Sequence, residues 1–177
     1  MLTDFPGVFW IDSSIRFHKD NLTSSLDQVY ENRGILAFAR SHHSNFAATH
    51  PGMYSFLPIA AAAASMTEQR DANSIFFYRT EEVYKKIVIW WVLCALKVDC
   101  MAAGRQLACS FNGKAVWAGC HRFDQSAINI LMARHFHYDD LKYLSRDAVL
   151  TVERGSAHQE VIEVCFRNRT KSAQYFA

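Results

Sequence analysis

Asp12, Ser14 and Arg16 stand at alternate positions just past the apolar run at 8–11, where a buried strand is expected to end. In open α/β sheets ligands gather beyond the carboxyl ends of strands, and an aspartate there can hold a divalent cation or a ribose hydroxyl. The same residues, Asp12 and Ser13, also suit an Asx-type turn, and Arg16 is either a fixed cation for a diphosphate or a surface charge. Much later in the chain, Asp124, Gln125 and Asn129 fall in the first turns of an expected helix. Asp124 is the expected N-cap, since a carboxylate accepts from unpaired N–H groups and suits the positive end of the helix dipole. Ala127, Ile128, Leu131 and Met132 share one face, so the helix body docks on a core while its polar first turn stays at a surface or cleft. Without a ligand, Asp124 would only cap, Gln125 would be solvated and Asn129 would bond a neighbouring loop.

Two further clusters carry chemistry. His42, His43 and His50 lie close together, but adjacent histidines lack the i, i+4 geometry of a helical zinc pair and no carboxylate is spaced to complete a set. They fit a solvated or acceptor-lining loop. Cys94, Cys100, Cys109 and Cys120 crowd into one region without a CxxC motif, and Cys165 stands apart. One or two disulfides around a loop, or buried free thiols, both fit that spacing. If disulfides form, Cys120 is expected to bridge one of the other three. Sequons at Asn21 and Asn168 favour a lumenal or secreted setting.

The elements that must position these groups follow from patterning. At 177 residues, half of them apolar or aromatic, the chain suits one domain with a sizeable core. A net charge of +2 gives no electrostatic case for nucleic acid or an anionic membrane. Lysines 85, 86 and 97 interrupt the most apolar region, so no stretch suits a bilayer span, and the N-terminus lacks the order of a signal peptide. Strands are expected at 8–11, 35–39, 73–79, 148–152 and 161–166. Helices are expected at 20–33, at 58–69 starting on Pro58, at 80–97 and from Asp124. Residues 41–50 are expected to be loop, and 99–119 a long excursion that is functional or disulfide-tied.

The segment Asp124-Gln125-Ser126-Ala127-Ile128-Asn129 resembles a signature found late in the catalytic domain of several GT-A-fold glycosyltransferases, including the glycogenin-like family. The strand ending at Asp12 resembles their "hydrophobic strand, then D-x-D", with Ser14 where the second acid would be. The strand and tryptophan helix at 73–97 resemble a third segment, with Ser74 where glycine is frequent. The resemblance implies an α/β fold, a mixed and mostly parallel sheet flanked by helices, as in a GT-A domain lacking its N-terminal nucleotide-binding strands. It further implies a nucleotide-sugar donor, a glycan or protein acceptor, Asp124 and Gln125 as catalytic residues, and Asp12, Ser14, Arg16 and Asn129 at the substrate. Asp12 would bind manganese or magnesium, which Ser14 supports less well than a carboxylate. Residence in the Golgi lumen or secretion would follow if the chain belongs to a longer anchored protein. The whole chain is also similar to an uncharacterised animal protein family, well represented in nematodes, through Trp10-Ile11-Asp12-Ser13-Ser14, Trp90-Trp91 and the block from Cys120 to Ser126. That likeness brings no activity, and a catalytically silent binding or structural domain is the alternative.

Overall fold

The structure is a computed structural model that describes residues 5–104 and 108–153. Its chain order is β1 (Gly7–Ile11), β2 (Ile15–Phe17), α1 (Thr23–Glu31), β3 (Ile35–Ala37), β4 (Arg40–Ser44), a 3₁₀ turn (Pro51–Ser55), α2 (Ala61–Met66), β5 (Glu68–Arg70) and β6 (Ser74–Tyr78). Then come α3 (Glu81–Val83), a π-helical turn (Tyr84–Val88), α4 (Ile89–Leu96), α5 (Val98–Met101), α6 (Phe123–His135), a second 3₁₀ turn (Asp140–Lys142) and β7 (Leu150–Val152).

The architecture is mixed α/β, but its sheets are small and antiparallel rather than mostly parallel. β6 lies between β1 and β3 and runs antiparallel to both, while β2 pairs with β7 and β4 with β5. Parallel pairing among the described residues is confined to a bridge between Ala37 and Leu144. The physical reason is visible in the second face of the sheet. A continuous apolar run suits a parallel strand covered by helices on both sides. Here Phe9 packs against Phe17, Phe38 and Phe76 at ring-centroid distances of 5.0–5.6 Å, so phenylalanines cover that face in place of a crossover helix. Strand direction is then free to follow the connections.

The opposite face carries the main core. Ile35, Ala37, Ile75 and Phe77 alternate inward, and Val83, Ile87, Cys94, Ile128 and Leu131 pack over them from the helices. Thr80 caps the helical stretch 81–96, its hydroxyl accepting from Val83 N at 3.1 Å. Gly34, at φ +97°, ends α1 by donating to Val29 O at 2.8 Å, in the left-handed conformation glycine adopts without a Cβ penalty.

Three expectations change. Residues 40–44 form a strand rather than loop, because Arg40 and Ser44 find partners in β5. The alanine helix starts at Ala61 instead of Pro58 and stops at Met66, where the chain turns into β5. Tertiary pairing overrides local propensity at both places. The expected strand at 161–166, Cys165 and the Asn168 sequon lie outside the described residues.

Candidate functional site

α6 sets the site. It begins at Phe123 with Arg122 as its N-cap residue, so Asp124 is the second helical position rather than the cap, and no side chain caps the end. The entry is held from several sides. Arg122 N donates to Ala48 O at 3.1 Å, Ser126 Oγ donates to the same carbonyl at 3.0 Å, and Trp91 Nε1 donates to Asp124 O at 3.2 Å. Behind it, His121 Nδ1 accepts from His50 N at 3.2 Å while Nε2 bonds Met101 O at 3.0 Å. Those partners assign the neutral Nε2–H tautomer. Phe123 adopts φ +43°, a strained value for a bulky side chain and of the kind that collects at functional sites.

Asp12 follows the last residue of β1. Its N–H donates to Asn73 O at 2.8 Å and its carbonyl accepts from Ile15 N at 3.1 Å, which closes a tight turn and leaves the side chain exposed. Arg16 Nη1 ties that turn by donating to the carbonyls of Ser13 and Ile15, each at 3.0 Å, and its Nε lies 3.7 Å from Glu153. Ser14 is half-buried, its carbonyl accepting from Glu153 N at 2.8 Å.

Asp12 and Asp124 are electrostatic neighbours although far apart in the sequence. Desolvation pushes the Asp124 carboxyl above the usual aspartate range, and the charge of Asp12 pushes the same way, against the pull of the Asp124 and Gln125 backbone N–H groups. Trp10, half-exposed on β1, meets Trp91 edge-to-face at 6.0 Å, and Trp91 in turn stacks on Phe77 at 6.0 Å. One rim therefore carries two carboxylates and an aromatic surface.

Gln125 continues that rim inward. Its Nε2 donates to Ser41 Oγ at 3.0 Å and to Gln69 Oε1 at 2.9 Å, which orients the amide and leaves Oε1 without a protein partner among the described residues. Ser41 Oγ in turn donates to Asp71, whose other oxygen accepts from Asn73 Nδ2 at 3.4 Å. Asn129 stands apart from this surface. It is fully buried, its Oδ1 accepting from Arg70 N and its Nδ2 donating to Arg70 O, both at 2.7 Å, with a further bond to Gln125 O at 2.8 Å. Its geometry is that of a strand partner for β5.

The histidines disperse. His42 is exposed near Glu68, His43 stacks on Phe111 at 4.6 Å, and His50 Nδ1 accepts from Gly52 N at 3.0 Å. Burial lowers the His43 pKa, with Arg122 adding to the effect and Asp71 opposing it. Among the described residues no three of His, Cys, Asp or Glu gather into a metal cage. A hard cation held by one or two carboxylates and completed by a substrate's phosphates needs no such cage.

Six residues of the network escape sequence reasoning, Ser41 and Gln69 among them because they fall in an expected loop and an expected helix. Trp10 and Trp91 fit apolar stripes and pass for core. Asp71 and Asn73 carry a usable signal, a D-x-N triplet between two strands, whose Asp71 directly follows β5 as Asp12 follows β1. Compared with known proteins, the chain matches no family model, no curated protein and no solved structure.

Proposed function

We propose that this chain is a glycosyltransferase-like domain that takes a nucleotide sugar against the rim shared by Asp12, Asp124, Gln125 and the Trp10–Trp91 pair. The observations that support the reading are that the charge of Asp12 bears on Asp124 and that Trp91 contacts both Trp10, two residues before Asp12, and the Asp124 carbonyl. Glycosyl transfer develops negative charge on the departing diphosphate and positive charge at the anomeric carbon. A cation bound by Asp12 and the donor's phosphates would answer the first, and the Asp124 carboxylate with Gln125 Oε1 would answer the second. The half-exposed Trp10 offers a flat apolar face of the kind on which a sugar ring or a base packs.

A non-catalytic carbohydrate-binding role is favoured by one feature. Ser14 stands where a second carboxylate would help to hold the cation, whereas bonding sugar hydroxyls needs no cation. Calorimetric titration with UDP-glucose, UDP-galactose and GDP-mannose, with and without manganese, tests both. Binding accompanied by donor hydrolysis supports the transferase, and binding without turnover supports the lectin-like reading. No binding of any donor, or binding unchanged by Asp12→Asn and Asp124→Asn, rejects the site.

A further inference from the structure

A groove of about 410 Å³ opens on the other side of the helical layer, away from the Asp124 end of α6. Phe56, Leu57 and Pro58 form one wall, Trp90 and Leu131 the other, and Lys86, Arg134 and His135 stand together at one side. A second, smaller hollow of about 110 Å³ shares Phe56, Leu57 and Trp90 and continues along Leu93 to the Cys94–Cys100 disulfide. The pair forms an elongated, largely apolar trough with Lys86, Arg134 and His135 at one end and Lys97 beside the disulfide at the other. Its main volume lies in the range of small-molecule sites, which are largely apolar with a few convergent polar groups.

The polar end is positive. Lys86 pairs with Glu82 at 2.9 Å, and Glu82 also bears on His135 against Lys86, Arg33 and His137, while Arg134 has no ion-pair partner among the described residues. His135 Nε2 is buried without a hydrogen-bond partner among the described residues. Arg134 and His135, adjacent on α6, both line the trough, so its polar end can meet an anion from one helix end. The other cations differ, because Lys85, outside the trough, is neutralised by Glu81 at 2.5 Å, and Lys97, at the tail end, by Asp99 at 2.8 Å. A broad anionic membrane would find little net charge there, whereas one compact anion reaching Arg134 and His135 would.

We propose that this trough binds a single-chain amphiphile with an anionic head, the carboxylate or phosphate held by Arg134 and His135 and the aliphatic tail lying between Trp90 and Leu57 toward the Cys94–Cys100 bridge. The site is independent of the sugar-nucleotide rim. Adjacent residues on an α-helix point about 100° apart, so Trp90 faces the trough while Trp91 bonds Asp124.

The test is calorimetric titration of the full chain with decanoate and decyl phosphate below their micelle-forming concentrations, with decanol and inorganic phosphate as controls. Saturable one-to-one binding of either amphiphile is expected. Each methylene removed should weaken it about fourfold, and Arg134→Gln should weaken it roughly tenfold, the loss of one charge-assisted hydrogen bond. Both Arg134 and Trp90 are exposed, so Arg134→Gln and Trp90→Ala are expected to fold, which unchanged circular dichroism would establish. Decyl phosphate alone binding assigns a phosphate head, and decanoate alone a carboxylate. Decanol binding as tightly as decanoate, inorganic phosphate binding as tightly as decyl phosphate, or no loss in both variants would overturn the proposal. Asp124→Asn should leave amphiphile binding unchanged, which separates this result from any outcome at the rim.

Discussion

Asn129 presents its amide to both polar groups of one peptide unit, so β5 gains from a side chain the pairing that a neighbouring strand would otherwise supply. Asn129→Ala would strand a buried N–H and a buried carbonyl of Arg70, at a cost of roughly 2–4 kcal/mol. Asn129→Asp should be worse, because an acceptor would then face the carbonyls of Arg70 and Gln125. Chemical denaturation measures both, and a near-neutral Asn129→Ala would show that the amide's bonds are not needed by the fold. Asp124 works in the opposite sense. A carboxyl whose folded pKa is raised contributes stability below its unfolded pKa and loses it as pH rises through the folded value. Asp124→Asn is therefore expected to leave the protein at least as stable at neutral pH while abolishing nucleotide-sugar binding. A clear fall in melting temperature at pH 7 would mean that the carboxylate's interaction with the helix dipole dominates instead.

Between the helices, the described part of the segment leading to α6 has few regular hydrogen bonds and is tied by cross-links. Cys109 and Cys120 are bonded, with Cα atoms 4.9 Å apart, and Cys94 is bonded to Cys100 at 5.2 Å, so the bridge expected at Cys120 forms with Cys109. Closing loops of these lengths stabilises by roughly 2–3 kcal/mol in the chain-entropy model. The 109–120 bridge ends one residue before His121, so its effect should extend to the α6 entry. Cys109→Ser with Cys120→Ser is expected to lower stability by about that amount and to speed amide exchange at Phe123–Gln125, read by hydrogen exchange. Unchanged exchange there would uncouple the loop from the helix start. Element identity was largely legible in sequence wherever period and punctuation agreed, as at Thr80 with its following acids or the apolar face of α6. It failed at 40–44 and 58–69, where local propensity favours loop and helix and only the partner strand, unseen in sequence, decides. A site shared by Asp12 and Asp124 is an expectation from resemblance alone, because no local pattern ties a turn after β1 to a helix so distant in the chain.

For the molecule as a whole, acid should loosen the fold before it protonates the carboxylates. His121, His43 and His135 each have a pKa below the ordinary histidine value, chiefly through desolvation. A base with a depressed folded pKa contributes stability above its unfolded pKa and loses it as pH falls through the folded value, since the unfolded chain takes up the proton first. All three act in one direction between neutrality and about pH 5, a window set by the unperturbed histidine value. Asp124 acts oppositely but at lower pH, in the carboxylate range. His121 should dominate, being the most buried of the three, and protonating its Nδ1 removes the acceptor for His50 N–H. The melting temperature is therefore expected to drop between pH 7.5 and pH 5, and the drop to shrink in His121→Gln, whose amide can still offer an acceptor and a donor but does not titrate. The slope with pH is the readout, because the substitution itself will lower stability at every pH. If the slope in His121→Gln matches the parent chain, the acid response belongs to His43 and His135, and the junction of His50, Met101 and His121 behind α6 is not the proton-sensitive part of the molecule.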